Sequence, residues 1–300
     1  MSAGTAVALG ILVVLWASAF PAIKLGLEGF SPGHLTLARH LVSSALFVPL
    51  LLVFRARALP HLADVPALLG LGVLGITVYH LALNVGQLQV SAGATSLIIA
   101  TAPALTAVIA WFVARDALGR LGWLGTGLGL VGVALIVLGD SDRTLAPSLG
   151  PYALLVLLAA FATAWFAVLQ RPLLRRYRPL EFTAYVTWAG TLPMLAFLPG
   201  FAGALASAGR LPLLATMHLG VFPSAIAYTL FALALSREPA TVVTAWLYLI
   251  PGFALLFSWW WLGEVPGALT LAGGVVVVGG VVLVNVSKRR VSAALRAAAH

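Results

Sequence analysis

Of the 300 residues, 62% are hydrophobic and only 8% are charged, against roughly 25% charged residues in a soluble domain, so a water-soluble fold could not hide this surface. The net charge of +9 would suggest nucleic acid on a soluble face, but here the basic residues flank apolar runs, where they meet lipid head groups and set orientation. Cysteine is absent, which excludes disulfides, thiol nucleophiles and Cys-ligated metals.

Apolar stretches about 20 residues long, bounded by charge, Pro or Gly, predict membrane-spanning helices. They fall at 6–27, 33–54, 66–88, 92–114, 121–139, 151–170, 180–199, 213–236, 240–262 and 267–286. Ala17-Ser18-Ala19 imitates a signal-peptidase site, but no positive region precedes it and the segment has a repeat partner in the sixth helix, so a retained first span is expected. With a cytoplasmic N-terminus, thirteen of the 17 Lys and Arg residues fall on inner segments and only Lys24, Arg39, Arg143 and Arg210 fall toward the outside. Both termini are therefore expected in the cytoplasm. The basic tail from Ser287 to His300 reads as lipid-facing or disordered rather than as a partner-binding helix.

An ungapped shift of 148 residues lays the end of the first half over the end of the second. Pro103 falls on Pro251, Trp111 on Trp259, Asp116 on Glu264, Gly125 on Gly273 and Gly132 on Gly280. Five helices per copy is an odd number, so a second copy threaded in series enters the bilayer from the opposite side. The expected fold is an all-α integral membrane protein of ten transmembrane helices, arranged as two inverted five-helix repeats (1–145 and 146–287) around a central cavity, with a basic cytoplasmic tail (288–300).

Thr77, His80, Asn84 and Gln87 form one polar stripe along the otherwise apolar third helix. Polar side chains in a membrane face the bundle interior or a water-filled cavity, so this face is expected to line the centre. The alternative for Asn84 and Gln87 is hydrogen bonding that joins helices. Tyr79 is the neighbour of His80. In the second half, Tyr228 occupies the position that matches His80 and shares a face with Ser224, while Thr241, Thr244 and Tyr248 repeat the theme on the ninth helix. Trp165 and Trp246 are too deep for the interfacial belts that suit Trp259, Trp260 and Trp261, and are expected to wall a substrate cavity or to pack helices. Pro103 and Pro251 break helical hydrogen bonding in mid-span, as paired hinges or as static kinks. Gly122, Gly125, Gly129 and Gly132 line one face of the fifth helix, and Gly273 and Gly280 repeat this on the tenth. These faces suit packing of the two helices on each other or a dimer contact; a monomer is the expected unit. Arg39, about 10 Å inside the second span, is expected to hold the outer end of the bundle, with attraction of a substrate carboxylate as the alternative.

Trp16-Ala17-Ser18-Ala19-Phe20 with Ala22-Ile23-Lys24, then Ser31-Pro32 and Arg39, and later Glu238-Pro239-Ala240, Pro251, Leu262-Gly263-Glu264, Gly273 and Gly280, resemble the EamA family of the drug/metabolite transporter (DMT) superfamily. The ten-helix form is similar to bacterial exporters of amino acids and related metabolites, including the YddG type. The resemblance implies an exporter in a bacterial inner membrane, partnered by the lipid bilayer and a small-molecule substrate, with aromatic amino acids among the substrates. Tyr79, His80, Asn84, Trp165, Tyr228, Thr244, Trp246 and Tyr248 are the expected substrate-binding residues, with no cofactor, metal or nucleic acid. Efflux of cationic drugs is the competing reading. It normally needs a buried acid that proton and drug share, and only Glu28, Asp116 and Glu264, near span ends, come close. His80 is the best candidate for any proton coupling. An intramembrane enzyme is disfavoured, because a single deep histidine without a neighbouring acid supplies neither a nucleophile and base nor a metal cluster. A channel is disfavoured by the lack of a charged ring or a carbonyl filter motif.

Overall fold

The computed structural model describes residues 3–56, 59–114, 119–140, 146–237, 243 and 246–298. Among them every regular element is helical. In chain order the main helices are α1 (Ala3–Leu27), α2 (Pro32–Val53), α3 (Leu62–Gly86), α4 (Ala92–Val113), α5 (Arg120–Asp140), α6 (Ala146–Leu169), α7 (Pro179–Met194), α8 (Arg210–Arg237), α9 (Ile250–Leu262) and α10 (Ala268–Ala298). Eight of the described helices are long and apolar enough to cross a membrane, and nine if the bent pair Pro179–Phe197 and Phe201–Ser207 is one span. The short helix Ile250–Leu262 is also apolar. Thr241 and Thr244, the Glu238-Pro239-Ala240 motif and Asp116 lie outside the described residues.

The helix ends follow from local chemistry. Ser31 caps α2, accepting from the His34 N–H at 3.2 Å, and Pro32 sits where its missing N–H costs nothing. At the start of α4, Ser91 Oγ accepts from Ala94 N–H, and the Glu264 carboxylate accepts from the Ala92 and Gly93 N–H groups at 3.0 and 3.4 Å. The acid of the Leu262-Gly263-Glu264 motif thus satisfies the amides of a helix from the other half, where negative charge is favoured by the helix dipole. Gly263 ends α9 in the left-handed conformation (φ 68°), which a residue with a Cβ adopts only at a cost. Asp64, bonded by the Arg176 guanidinium and the Tyr177 hydroxyl, each at 2.7 Å, joins the first turn of α3 to the α6–α7 connection.

Irregularities recur at the 148-residue offset. The α4 span breaks at Ala100–Thr101, just before Pro103, and a turn at Tyr248–Leu249 precedes Pro251. Wide π-helical segments occupy Val73–Val78 in α3 and Gly220–Ala227 in α8. One surprise is α10, which runs on as helix through the basic tail to Ala298. The segment expected to be lipid-facing or disordered is thus helical to that point, since its Ala, Arg, Lys and Ser residues include no helix breaker.

Helices α5 and α10 pack backbone to backbone. Gly125 meets the Gly280 carbonyl, and a Cβ on Gly132 would fall 2.7 Å from the Gly273 carbonyl oxygen. Ascending α5 therefore descends α10, so the two helices run antiparallel. A side chain at either point forces the helices apart, at about 1–3 kcal/mol for overpacking. Gly132→Leu and Gly273→Val should lower the melting temperature in detergent by several degrees, whereas Gly127→Ala, with nothing near its added methyl, should leave it unchanged or raised. Thermal unfolding of the three variants, followed by circular dichroism, checks this.

Candidate functional site

Helix α2 carries Thr36, Arg39, His40 and Ser43 at spacings of three and four, and all four are buried. The same spacing that marks the polar stripe of α3 is therefore present here too. Arg39 is 2% exposed, and its Nε and Nη2 donate to Ser224 Oγ on α8 at 3.2 and 2.9 Å. Its Nη1 is buried without a hydrogen-bond partner, and no carboxylate among the described residues meets it. Tyr79 and Tyr228 both lie within electrostatic reach of the guanidinium. The π-helical segment of α8 positions Ser224 for this contact, and the buried Pro223 beside it offers its carbonyl to the Trp16 Nε1–H at 3.2 Å.

Next to the arginine lies an aromatic cluster. The His40 and His80 rings meet edge to face at 4.4 Å between centroids, Tyr79 meets His80 at 4.6 Å, and Tyr228 lies 6.5 Å from His80. Trp16 closes the group at 5.3 Å from Tyr228. His40 Nδ1 contacts the Thr36 carbonyl at 2.9 Å and His80 Nδ1 the Ile76 carbonyl at 2.8 Å. A carbonyl only accepts, so each Nδ1 carries the hydrogen and in the neutral ring Nε2 is an acceptor. Asn84 Nδ2 donates to Thr36 Oγ1 at 2.8 Å, leaving Oδ1 unpaired, and neither amide atom of the fully buried Gln87 has a partner. Thr77, by contrast, is committed to joining helices, donating to the Gly190 carbonyl at 2.7 Å.

Of the residues singled out in the sequence, Tyr79, His80 and Tyr228 come together around Arg39, with Asn84 one turn along α3. Trp165 packs elsewhere, with Leu105, Ile109, Ala164 and Val168. Trp246 lies among Leu9, Ala234 and Val243, and also against Leu12, Val13 and Ala227. The Tyr248 hydroxyl accepts from Asn285 of α10. The sequence offered Arg39 as a site residue only as the alternative to a structural role and His40 not at all, although the polar spacing of α2 carried the signal.

A cleft adjoins the cluster, lined by Ile76 of α3, Phe166 and Gln170 of α6 and the segment after it, Phe182, Thr183, Val186 and Thr187 of α7, and Tyr228, Phe231 and Ala232 of α8. Tyr228 belongs to both cleft and cluster. On the other side of the cluster, Ser18 Oγ of α1 meets His218 Nε2 of α8 at 2.9 Å, and the His218 ring lies 6.0 Å from Trp261.

Polar and aromatic groups buried inside a bundle of apolar, membrane-length helices define the class as a multi-pass membrane protein with a polar interior. The model of the EamA-like transporter family matches residues 4–138 and 150–286, and the chain belongs to that family. It is 41% identical over 271 residues to the uncharacterized transporter YdfC of Bacillus subtilis (strain 168), covering 90% of this chain and 87% of the relative. It is 37% identical over 284 residues to a probable terminal-alkyne amino-acid exporter of Streptantibioticus cattleyicolor, covering 93% and 92%. A protein of known crystal structure shares the fold with a TM-score of 0.65 at 17% identity, over 97% of this chain and 99% of that one. The chain is thus a multi-pass membrane transporter acting on small molecules.

A buried polar group without a partner costs about 1–3 kcal/mol, and an apolar replacement of similar shape removes that cost. Gln87→Leu should therefore leave the melting temperature unchanged or raised. Differential scanning fluorimetry of the purified variant checks this; a clear drop would show that the amide is bonded in the native state.

Proposed function

We propose that this protein exports amino acids, aromatic ones among them, from the cytoplasm by alternating access. The central site lies between two inverted five-helix repeats, residues 1–145 and 146–287, in a bacterial inner membrane with both termini cytoplasmic. The observation that carries this reading is the composition of the site. Thr36, Arg39, His40, Tyr79 and His80 come from the first half, and Ser224 and Tyr228 from the second. A site shared between halves is what rocking of one bundle against the other exposes first to one side and then to the other.

Three regularities support the inverted arrangement. The α5–α10 contact is reciprocal: under the 148-residue shift Gly125 corresponds to Gly273 and Gly132 to Gly280, and the observed pairs are Gly125 with Gly280 and Gly132 with Gly273. The π-helical segments and the proline-associated breaks also recur at matching positions. In the proposed orientation the cleft at Gln170 and Thr183 opens to the cytoplasm, and the Ser18–His218 contact closes the outer side. Pro103 and Pro251 serve as hinges. Trp165, Trp246 and Tyr248 wall the passage beyond the Arg39 cluster, and Thr244 hydrogen-bonds the substrate. The name of the Streptantibioticus relative supports an amino-acid substrate. Export of cationic drugs is disfavoured by the buried guanidinium, which repels a cation where a carboxylate would attract one.

Proteoliposomes loaded with a panel of labelled amino acids should show exchange for at least one of them and none for a quaternary ammonium dye. His80→Ala should reduce that exchange about tenfold through lost hydrogen bonding, with the melting temperature within a few degrees of the parent. Dye accumulation driven by a pH gradient, without amino-acid flux, overturns the reading.

A further inference from the structure

The Arg39 guanidinium is a full positive charge that never deprotonates in ordinary conditions, placed where its surroundings are almost wholly protein. Two of its three nitrogens share a single neutral acceptor, Ser224 Oγ, and Nη1 has none. A buried charge without a counter-ion is costly, and membrane proteins that retain one pair it with another group or use it on a substrate path. Among the described residues, the groups around this charge are neutral hydroxyls and rings: Ser224, Tyr79, Tyr228, His40 and His80.

We infer that Arg39 is the anchor for a carboxylate on the transported molecule, with Ser224 holding the guanidinium so that Nη1 and its edge face the substrate. This rests on the transporter reading above and deepens it by naming the residue that recognises the carboxylate of the transported molecule. A planar guanidinium offers two parallel N–H donors to the two oxygens of a carboxylate, a fit that an ammonium or a neutral donor does not reproduce. On the neighbouring faces, the unpaired acceptors His40 Nε2 and Asn84 Oδ1 suit the ammonium of an α-amino acid, whose three N–H groups need acceptors. Tyr79 and Tyr228 contribute flat apolar rings beside the charge, in a position to pack on the side chain of the bound molecule. Tight arginine–serine contact between α2 and α8 also links substrate charge to the interface between the two halves. A carboxylate on the free Nη1 edge leaves the Ser224 contact in place, so the bound molecule sits where the two halves meet.

The test uses the full chain, purified and studied both in detergent and in proteoliposomes, with matched compounds that share one side chain. These are L-phenylalanine, its amide and phenethylamine, and L-leucine, its amide and 3-methylbutylamine. Thermal stabilisation reads binding, and counterflow reads transport. At least one of the two acids should stabilise the wild type, with its amide and amine roughly 10- to 100-fold weaker, the range for a hydrogen-bonded charge. Arg39→Gln should bring that acid down to the level of its amide and leave the amide unchanged. Arg39→Lys keeps the charge but loses the planar fork and should weaken only the acid, about tenfold. Ser224→Ala, which retains the guanidinium, should weaken only the acid several-fold. These last two variants carry the test should Arg39→Gln fail to fold.

The anchor is overturned if amides or amines match the acids in the wild type, if neither acid stabilises it, or if the variants keep the acid preference. It is also overturned if sodium chloride alone stabilises the wild type as well as the acids do, which would make Arg39 a general anion site. Equal flux of acids and amines would leave the transporter reading standing. Acid-specific stabilisation with no counterflow of any compound would instead remove the transporter reading and leave the anchor.

Discussion

Lipid offers no hydrogen-bond partner to a guanidinium, so Arg39 has to be covered by the protein itself, and the contact that covers it holds helices from opposite halves of the chain together. Once Nε and Nη2 are bonded to Ser224, α2 and α8 must lie side by side at that depth. The close approach is permitted by Gly220, where a Cβ would meet Val42 and the Arg39 carbonyl of α2. Tyr79 and His80 follow from α3 and Tyr228 from α8, because the π-helical turns just before them set which faces of α3 and α8 look inward. Such wide turns are frequent at functional sites, where they re-aim side chains without breaking the helix.

A second constraint is the glycine seam between α5 and α10. Backbone contact at Gly125–Gly280 and Gly132–Gly273 leaves little room for sliding, since neither helix can rotate there without driving a side chain into the other. The regular α-helical hydrogen-bond pattern is interrupted instead at the breaks before Pro103 and Pro251 and in the two π-helical segments.

Much of this was legible in the sequence. Hydropathy places most of the described helix ends within about five residues, because a span must match the thickness of the bilayer; the exceptions are the start of α9 and the end of α10, which runs on to Ala298. The 148-residue register anticipates both helix breaks and both halves of the glycine seam. The polar stripe of α3 announces its inward face. What the sequence hid is which helix meets the polar face of α2. Arg39 lies only seven residues into its helix, and with length as the guide it reads as a residue near the membrane surface. Burial at that depth depends on α8 arriving beside it, which no local pattern encodes. Trp165 illustrates the converse, since depth in a span does not say which helix a side chain faces, and it packs against Leu105 and Ile109 of α4. The π-helical segments, set by tertiary packing, leave no signature in residue type.

In this account, charge and aromatic groups at mid-membrane are reached through one cleft at a time, with Thr187 in the cleft beside Tyr228 and Ser18 at the contact that closes the opposite side. The natural absence of cysteine provides a silent background for labelling. Alternating exposure of the Arg39 cluster is tested with Thr187→Cys and Ser18→Cys, each treated in oriented vesicles with an impermeant thiol reagent from one face at a time. Thr187→Cys should react from the cytoplasmic face only and Ser18→Cys from the external face only, with a transported substrate changing the two rates in opposite directions. Reaction of both positions from the same face, or rates that substrate leaves unchanged, would rule out a site opened to one side at a time.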